Sequence, residues 1–135
     1  MDTRRIALGL SFAALTFGQA FAVELIVPTI ATTDAKFQQD VVDASANHLV
    51  VVVFGAPWCL PCGGVVGTLG YAAQQKSFGV VTMDVDANPV MADKLKVSSS
   101  LPVVIAYRGG MSVGSHIGPW TDRDTIDTFL ARVGA

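Results

Sequence analysis

The apolar positions fall into runs of two kinds. His48 to Phe54 is continuous, valine-rich and without alternation, which is the pattern of a central strand buried on both faces. Gly79 to Val85 is a second such run, and the stretch from Cys62 to about Ser77 is long enough to cross between them as a helix. A strand, a helix and a strand in that order predict a right-handed parallel βαβ unit. Upstream, Thr33 is a candidate N-cap for a helix that aligns Phe37, Val41 and Ala44. Downstream, Asn88-Pro89 starts a helix through Val97, with Met91 and Leu95 one turn apart. Leu101-Pro102 then opens a strand to Tyr107, Arg108-Gly109-Gly110 turns, and Met111 to Ile117 returns antiparallel. Thr121-Asp122-Arg123-Asp124 is close to a capping box for a last helix in which Ile126, Phe129, Leu130 and Val133 share a face.

The first residues follow a different rule. Arg4 and Arg5 precede an apolar run from Ile6 to Phe17, and Ala20-Phe21-Ala22 has the small-x-small form that signal peptidase cuts after. Residues 1–22 are therefore expected to be a removed secretory signal, leaving one domain over 23–135. A run of about 12 apolar residues rises only about 18 Å as a helix, short of a hydrocarbon core near 30 Å, so no stable membrane span is expected after cleavage. Arg4-Arg5 after Thr3 also has a partial likeness to a twin-arginine export signal. Export places the chain in the periplasm or outside the cell, where disulfides persist.

Composition narrows the function classes. Hydrophobic residues make up 51% of the 135 and charged ones 15%, enough to bury a core. With 9 Lys and Arg against 11 Asp and Glu, the net charge of −2 provides no basic face for nucleic acid. Two cysteines cannot staple a scaffold, but Cys59 and Cys62 are two residues apart at the start of the crossover helix. Such a pair closes a small ring and reopens it with little backbone movement. The first sulfur sits by unpaired helix N–H groups, which favour its thiolate, so Cys59 is the candidate nucleophile and the deeper Cys62 the second attacker. A structural bridge is the competing reading, yet so short a loop removes little chain entropy. Metal binding would need two further ligands. The only histidines, His48 and His116, have no zinc-site spacing to the cysteines and read as solvated strand-end residues.

The segment Val52-Val53-Phe54-Gly55-Ala56-Pro57-Trp58-Cys59-Leu60-Pro61-Cys62 resembles the strand, tryptophan and Cys-x-Pro-Cys of the thioredoxin family. Leu101-Pro102 with its strand and Arg108-Gly109-Gly110 is similar to that family's cis-proline strand and hairpin, and Gly118 to its glycine beside the active site. The resemblance implies an α/β thioredoxin fold, a mixed central sheet with helices on both faces. It implies a thiol–disulfide oxidoreductase needing no cofactor beyond the Cys59–Cys62 pair. Cys59 would form a mixed disulfide with a protein substrate and Cys62 would release the reduced product. Trp58, Leu101, Pro102 and Gly118 would receive the substrate chain, with Leu60 and Pro61 in support. An electron donor or acceptor is implied without being identified, and the absence of a histidine between the cysteines suggests a reductant.

Three positions depart from the family pattern. Val53 stands where a buried Asp often handles the proton of the second thiol, Gly63 where a basic residue is usual, and Gly67 where a kinking proline is common. Glycines at 63, 64, 67 and 70 each cost a helix about 0.5–1 kcal/mol relative to alanine. These departures favour the alternative of a redox-inactive binding subunit that docks a partner through Trp58 and Pro102. Trp120 reads equally as core or site, Tyr71 and Met83 as core, and Asp84, Asp86, Asp122 and Asp124 as strand-end and cap residues.

Overall fold

The computed structural model describes residues 29–135, so the expected signal segment lies outside the described residues. Five strands form one sheet: β1 (Thr29–Ala31), β2 (Val50–Gly55), β3 (Gly79–Asp84), β4 (Val103–Arg108) and β5 (Met111–Ile117), in the order β1-β3-β2-β4-β5. β1, β3 and β2 are parallel, and β4 and β5 are antiparallel additions. Helices α1 (Leu60–Lys76), α2 (Pro89–Leu95) and α3 (Arg123–Arg132) complete the α/β sandwich. The mixed sheet and the βαβ unit match the sequence reading. β1 was not singled out there because it is three residues long and exposed on every residue.

β2 lies third of five, and its unbroken valine run has a simple cause: successive side chains enter two different cores. Leu49, Val51 and Val53 pack with Val65 and Leu69 of α1 and with Ile126, Phe129 and Leu130 of α3. Val50, Val52 and Phe54 pack on the other face with Phe37, Val41, Ala92 and Tyr107. Phe37 anchors that second layer, 6.5 Å from the Phe54 ring and edge-on to Tyr107 at 5.9 Å. The segment carrying Phe37 and Val41 winds as a π-helix over Gln38–Asp43 rather than as an α-helix, and a 3₁₀ turn follows at Ala44–Ala46. Thr33 still marks its start, its hydroxyl accepting from Lys36 N–H at 3.3 Å.

One cap differs from that expected. Asn88 precedes α2 but does not cap it. The carboxylate of Asp34 accepts from Val90 N–H at 3.1 Å and Met91 N–H at 2.8 Å instead. Asn88 is buried and ties the two segments together, accepting from Asp34 N–H and donating to the Asp84 carbonyl. Both free N–H groups of the short helix are thus met from 56 and 57 residues away. Asp34→Ala is expected to lower stability by about 1–2 kcal/mol, measured by urea unfolding, as for the loss of a good N-cap. At α3 the cap is Asp122, one of the residues read as caps, accepting from Thr125 N–H and Oγ1–H, each at 2.8 Å. Those bonds, the backbone one foremost, hold the Asp122 carboxyl below its ordinary value. The capping contribution is therefore present above the ordinary carboxylate range and is lost as the pH falls through the lowered value.

Candidate active site

Cys59 is the N-cap residue of α1, in extended conformation, and Pro61 lies in the first turn, where its missing N–H breaks no helical bond. Cys59 and Cys62 are joined as a disulfide with Cα atoms 5.5 Å apart. Their environments differ as expected: Cys59 is half-buried, while Cys62 is 7% exposed and packed inside the helix. The free N–H groups of the first turn lie at the Cys59 end of the helix, an arrangement that favours negative charge there. Cys62 lies one turn further in.

Around the sulfurs, Trp58 is 61% exposed and Leu60 91%, so the approach to Cys59 is apolar on both sides. The Trp58 indole N–H donates to Asp86 Oδ2 at 2.8 Å, which fixes the ring next to Cys59. Asp86 is in turn placed by its own N–H bond to Asp84 Oδ1. The strand-end reading of Asp86 is correct but incomplete. A partner 28 residues away in sequence has no local signal.

The Leu101–Pro102 bond is cis. Pro102 is buried and Leu101 half-buried, and the Pro102 carbonyl accepts from Gly118 N–H at 2.7 Å. Gly118 has φ +91°, a conformation that a side chain would strain, so glycine is needed where the chain leaves β5 beside Pro102. The structure thus brings Pro102 and Gly118 together at the sheet end from which α1 starts, and it places Trp58, Leu60 and Pro61 on that helix start.

Several surrounding residues are placed differently from their sequence reading. His116 is not a solvated strand-end residue. Its ring stacks on Trp120 at 4.6 Å and lies edge-on to Phe129, because even-numbered positions at this end of β5 face α3. Trp120 belongs to both of its readings, since it packs against the α1–α3 core and also lines a groove of about 290 Å³ with Pro61, Gly64 and Thr68. Tyr71 is not core: it is 56% exposed, under the Arg123 guanidinium at 5.8 Å. Met83 is core and His48 is exposed. Among the described residues, no three His, Cys, Asp or Glu side chains gather as a metal site. No helix among them is long and apolar enough to cross a membrane.

The glycine content of α1 has no packing cause. A Cβ at Gly63, Gly64 or Gly67 would meet nothing within 4 Å. Gly63→Ala and Gly67→Ala are each expected to raise stability by about 0.5–1 kcal/mol in urea unfolding, through the entropy of the unfolded chain.

Behind Cys62 is a recess of about 190 Å³ lined by Val53, Gly55, Ala56, Pro57, Cys62, Val66, Thr82, Met83 and Asp84. Val53, the position at which the family often has a buried Asp, therefore lines the same recess as Cys62. Gly55 closes in on the same sulfur, since a Cβ there would stand 3.1 Å from Cys62 Sγ.

Comparison with known proteins agrees with this geometry. A family model described as Thioredoxin matches residues 28–132. Thioredoxin 1 of Synechococcus elongatus is 37% identical over 105 residues, covering 74% of this chain and 95% of that protein. Thioredoxin of Mycobacterium tuberculosis is 38% identical over 92 residues, covering 67% of this chain and 77% of that protein. A bifunctional thioredoxin reductase/thioredoxin of Mycobacterium leprae is 41% identical over 92 residues, covering 67% of this chain but only 19% of that longer protein.

Proposed function

The chain belongs to the thioredoxin family and is a thiol–disulfide oxidoreductase, and from that premise we propose that it reduces disulfides in exported proteins. The observation that carries this reading is the asymmetry of the pair: Cys59 is half-exposed at a helix start between Trp58 and Leu60, and the Cys62 bonded to it is buried. The Cys59 thiolate attacks one sulfur of a substrate disulfide, and the other sulfur leaves as a thiol. Cys62 then attacks Cys59, releasing the second substrate thiol and re-forming the internal disulfide. Trp58, Leu101, Pro102 and Gly118 hold the substrate chain during both steps.

The direction rests on Leu60-Pro61, the uncharged pair between the cysteines. Potentials in thioredoxin-fold proteins span about −270 to −120 mV, or about 7 kcal/mol, set largely by residues near the thiols. The name of the Mycobacterium leprae relative joins a thioredoxin to a thioredoxin reductase, so a thioredoxin reductase is the first electron donor to test. Insulin-disulfide reduction with dithiothreitol tests the activity, and equilibration against glutathione tests the direction. A rate no higher than dithiothreitol alone would point instead to a binding subunit docking through Trp58 and Pro102.

Export rests on the sequence of residues 1–22. The mature N-terminus is expected to be Val23, because Ala20 and Ala22 place small residues correctly behind the apolar run. Mass spectrometry of the exported protein checks this, and an intact Met1 segment would refute it.

A further inference from the structure

We propose that the recess behind Cys62 is the water route to the resolving thiol, with Thr82 as the positioning residue for the water that takes its proton. The proposal rests on the exchange reading above and concerns its second step. Cys62 is 7% exposed, and a thiol so placed ionises reluctantly unless something solvates the charged form. The neighbouring strand position is Val53, which accepts no proton. What adjoins Cys62 instead is about 190 Å³ of open recess, against about 30 Å³ for one liquid water.

The lining is largely apolar, so water persists there only where polar groups anchor it. Among the lining residues only Thr82 and Asp84 carry a side-chain oxygen. Thr82 pairs in register with Val53 on the adjacent strand, at the same depth in the sheet. Asp84 lies two residues further on, and its Oδ1 already accepts from Asp86 and Ala87 N–H. The geometry gives the inner position to Thr82 and the outer one to Asp84. Among the recess-lining residues the one titratable side chain besides Cys62 is Asp84, at the end of β3, and Cys59, at the start of α1, is the partner of Cys62 in the disulfide. β2 and α1 before Lys76 carry no charge.

With Cys59 held in the mixed disulfide, the Cys62 thiol passes its proton to recess water, which carries it to solvent. The thiolate attacks the Cys59 sulfur, the Cys59–Cys62 bond forms, and the bond from Cys59 to the substrate sulfur breaks. The substrate leaves as a thiolate and is protonated by water. No outside oxidant or reductant enters this step.

The test follows iodoacetamide alkylation of Cys62 against pH in Cys59→Ser chains, and mixed-disulfide resolution by stopped flow in chains with both cysteines. Thr82→Val removes the hydroxyl at nearly constant volume, Val66→Phe fills the recess from the helix side, and Thr82→Ser restores the hydroxyl. Thr82→Val and Val66→Phe are expected to raise the Cys62 titration midpoint by about one pH unit and slow resolution about tenfold near pH 7. Capture of substrate by Cys59 should be unchanged, and Thr82→Ser should match the parent. A Thr82→Val chain with the parent's midpoint and resolution rate overturns the proposal, even if Val66→Phe fails to fold. Absence of insulin reduction by the parent, with the Cys62 midpoint still moving in Thr82→Val, would refute the exchange reading and not the water route.

Discussion

Cys62→Ser is expected to produce a protein that captures substrates and does not release them, whereas Cys59→Ser should reduce exchange to background. The two outcomes follow from the different positions of the sulfurs. Cys59 stands at the N-cap position of α1 and is half-buried, so in the reduced state its thiolate would be both stabilised by the helix start and open to attack a disulfide. Cys62, at 7% exposure, reaches only the Cys59 sulfur itself, which it attacks while that sulfur is bonded to the substrate. Without it the mixed disulfide has no internal attacker and waits for an external thiol. Non-reducing gels of Cys62→Ser after incubation with a disulfide substrate should show covalent adducts that dithiothreitol dissolves. Iodoacetamide at pH 6 should label Cys59 first in the reduced parent; faster labelling of Cys62 would reverse the assignment.

Val53→Asp is expected to destabilise the fold by about 2–4 kcal/mol, the range for an imperfectly satisfied polar group in a core, and to speed resolution near neutral pH. Val53 is 1% exposed, packs in the α1–α3 core and lines the recess under Cys62. A carboxyl there is poorly solvated, so its pKa in the folded chain rises above the unfolded value near 3.9. The sign of the pH dependence follows. The cost of the substitution is least at pH below about 4, where the carboxyl is neutral in both states, and grows as the pH rises through the raised folded value. The same raised value makes the group an acceptor matched to a thiol proton, which is the gain in resolution. Urea unfolding across pH and stopped-flow release of a fluorescent mixed-disulfide substrate measure the two effects. A variant as stable as the parent with an unchanged pH–rate profile would place Val53 away from the active site.

The sequence by itself determined whatever is written in neighbouring residues. A valine run without alternation states that both strand faces are covered, and β2 has a core on each side. Two cysteines a helical turn apart, one at the helix start and one inside, state which sulfur is the more accessible, and the structure has Cys59 half-buried and Cys62 buried. Gly109-Gly110, with φ of +64° and +81°, supply the hairpin turn between β4 and β5 that their dipeptide announces. Pattern of this kind is legible because hydrophobic period, turn conformation and thiol spacing depend on residues within a turn or two of one another.

The tertiary structure decided which distant groups satisfy one another. Asp34 rather than Asn88 caps α2 because the chain folds back to bring its carboxylate to Val90 and Met91. Asp86 orients Trp58 from the end of another strand, and His116 packs under Trp120 because α3 crosses that part of β5. A hydrogen bond or a ring stack needs only that two groups arrive within a few ångströms, and many side chains at many separations could serve. The recess under Cys62 is the extreme case. It is space left between β2, β3 and α1 by residues whose small size has meaning only once those elements are packed together.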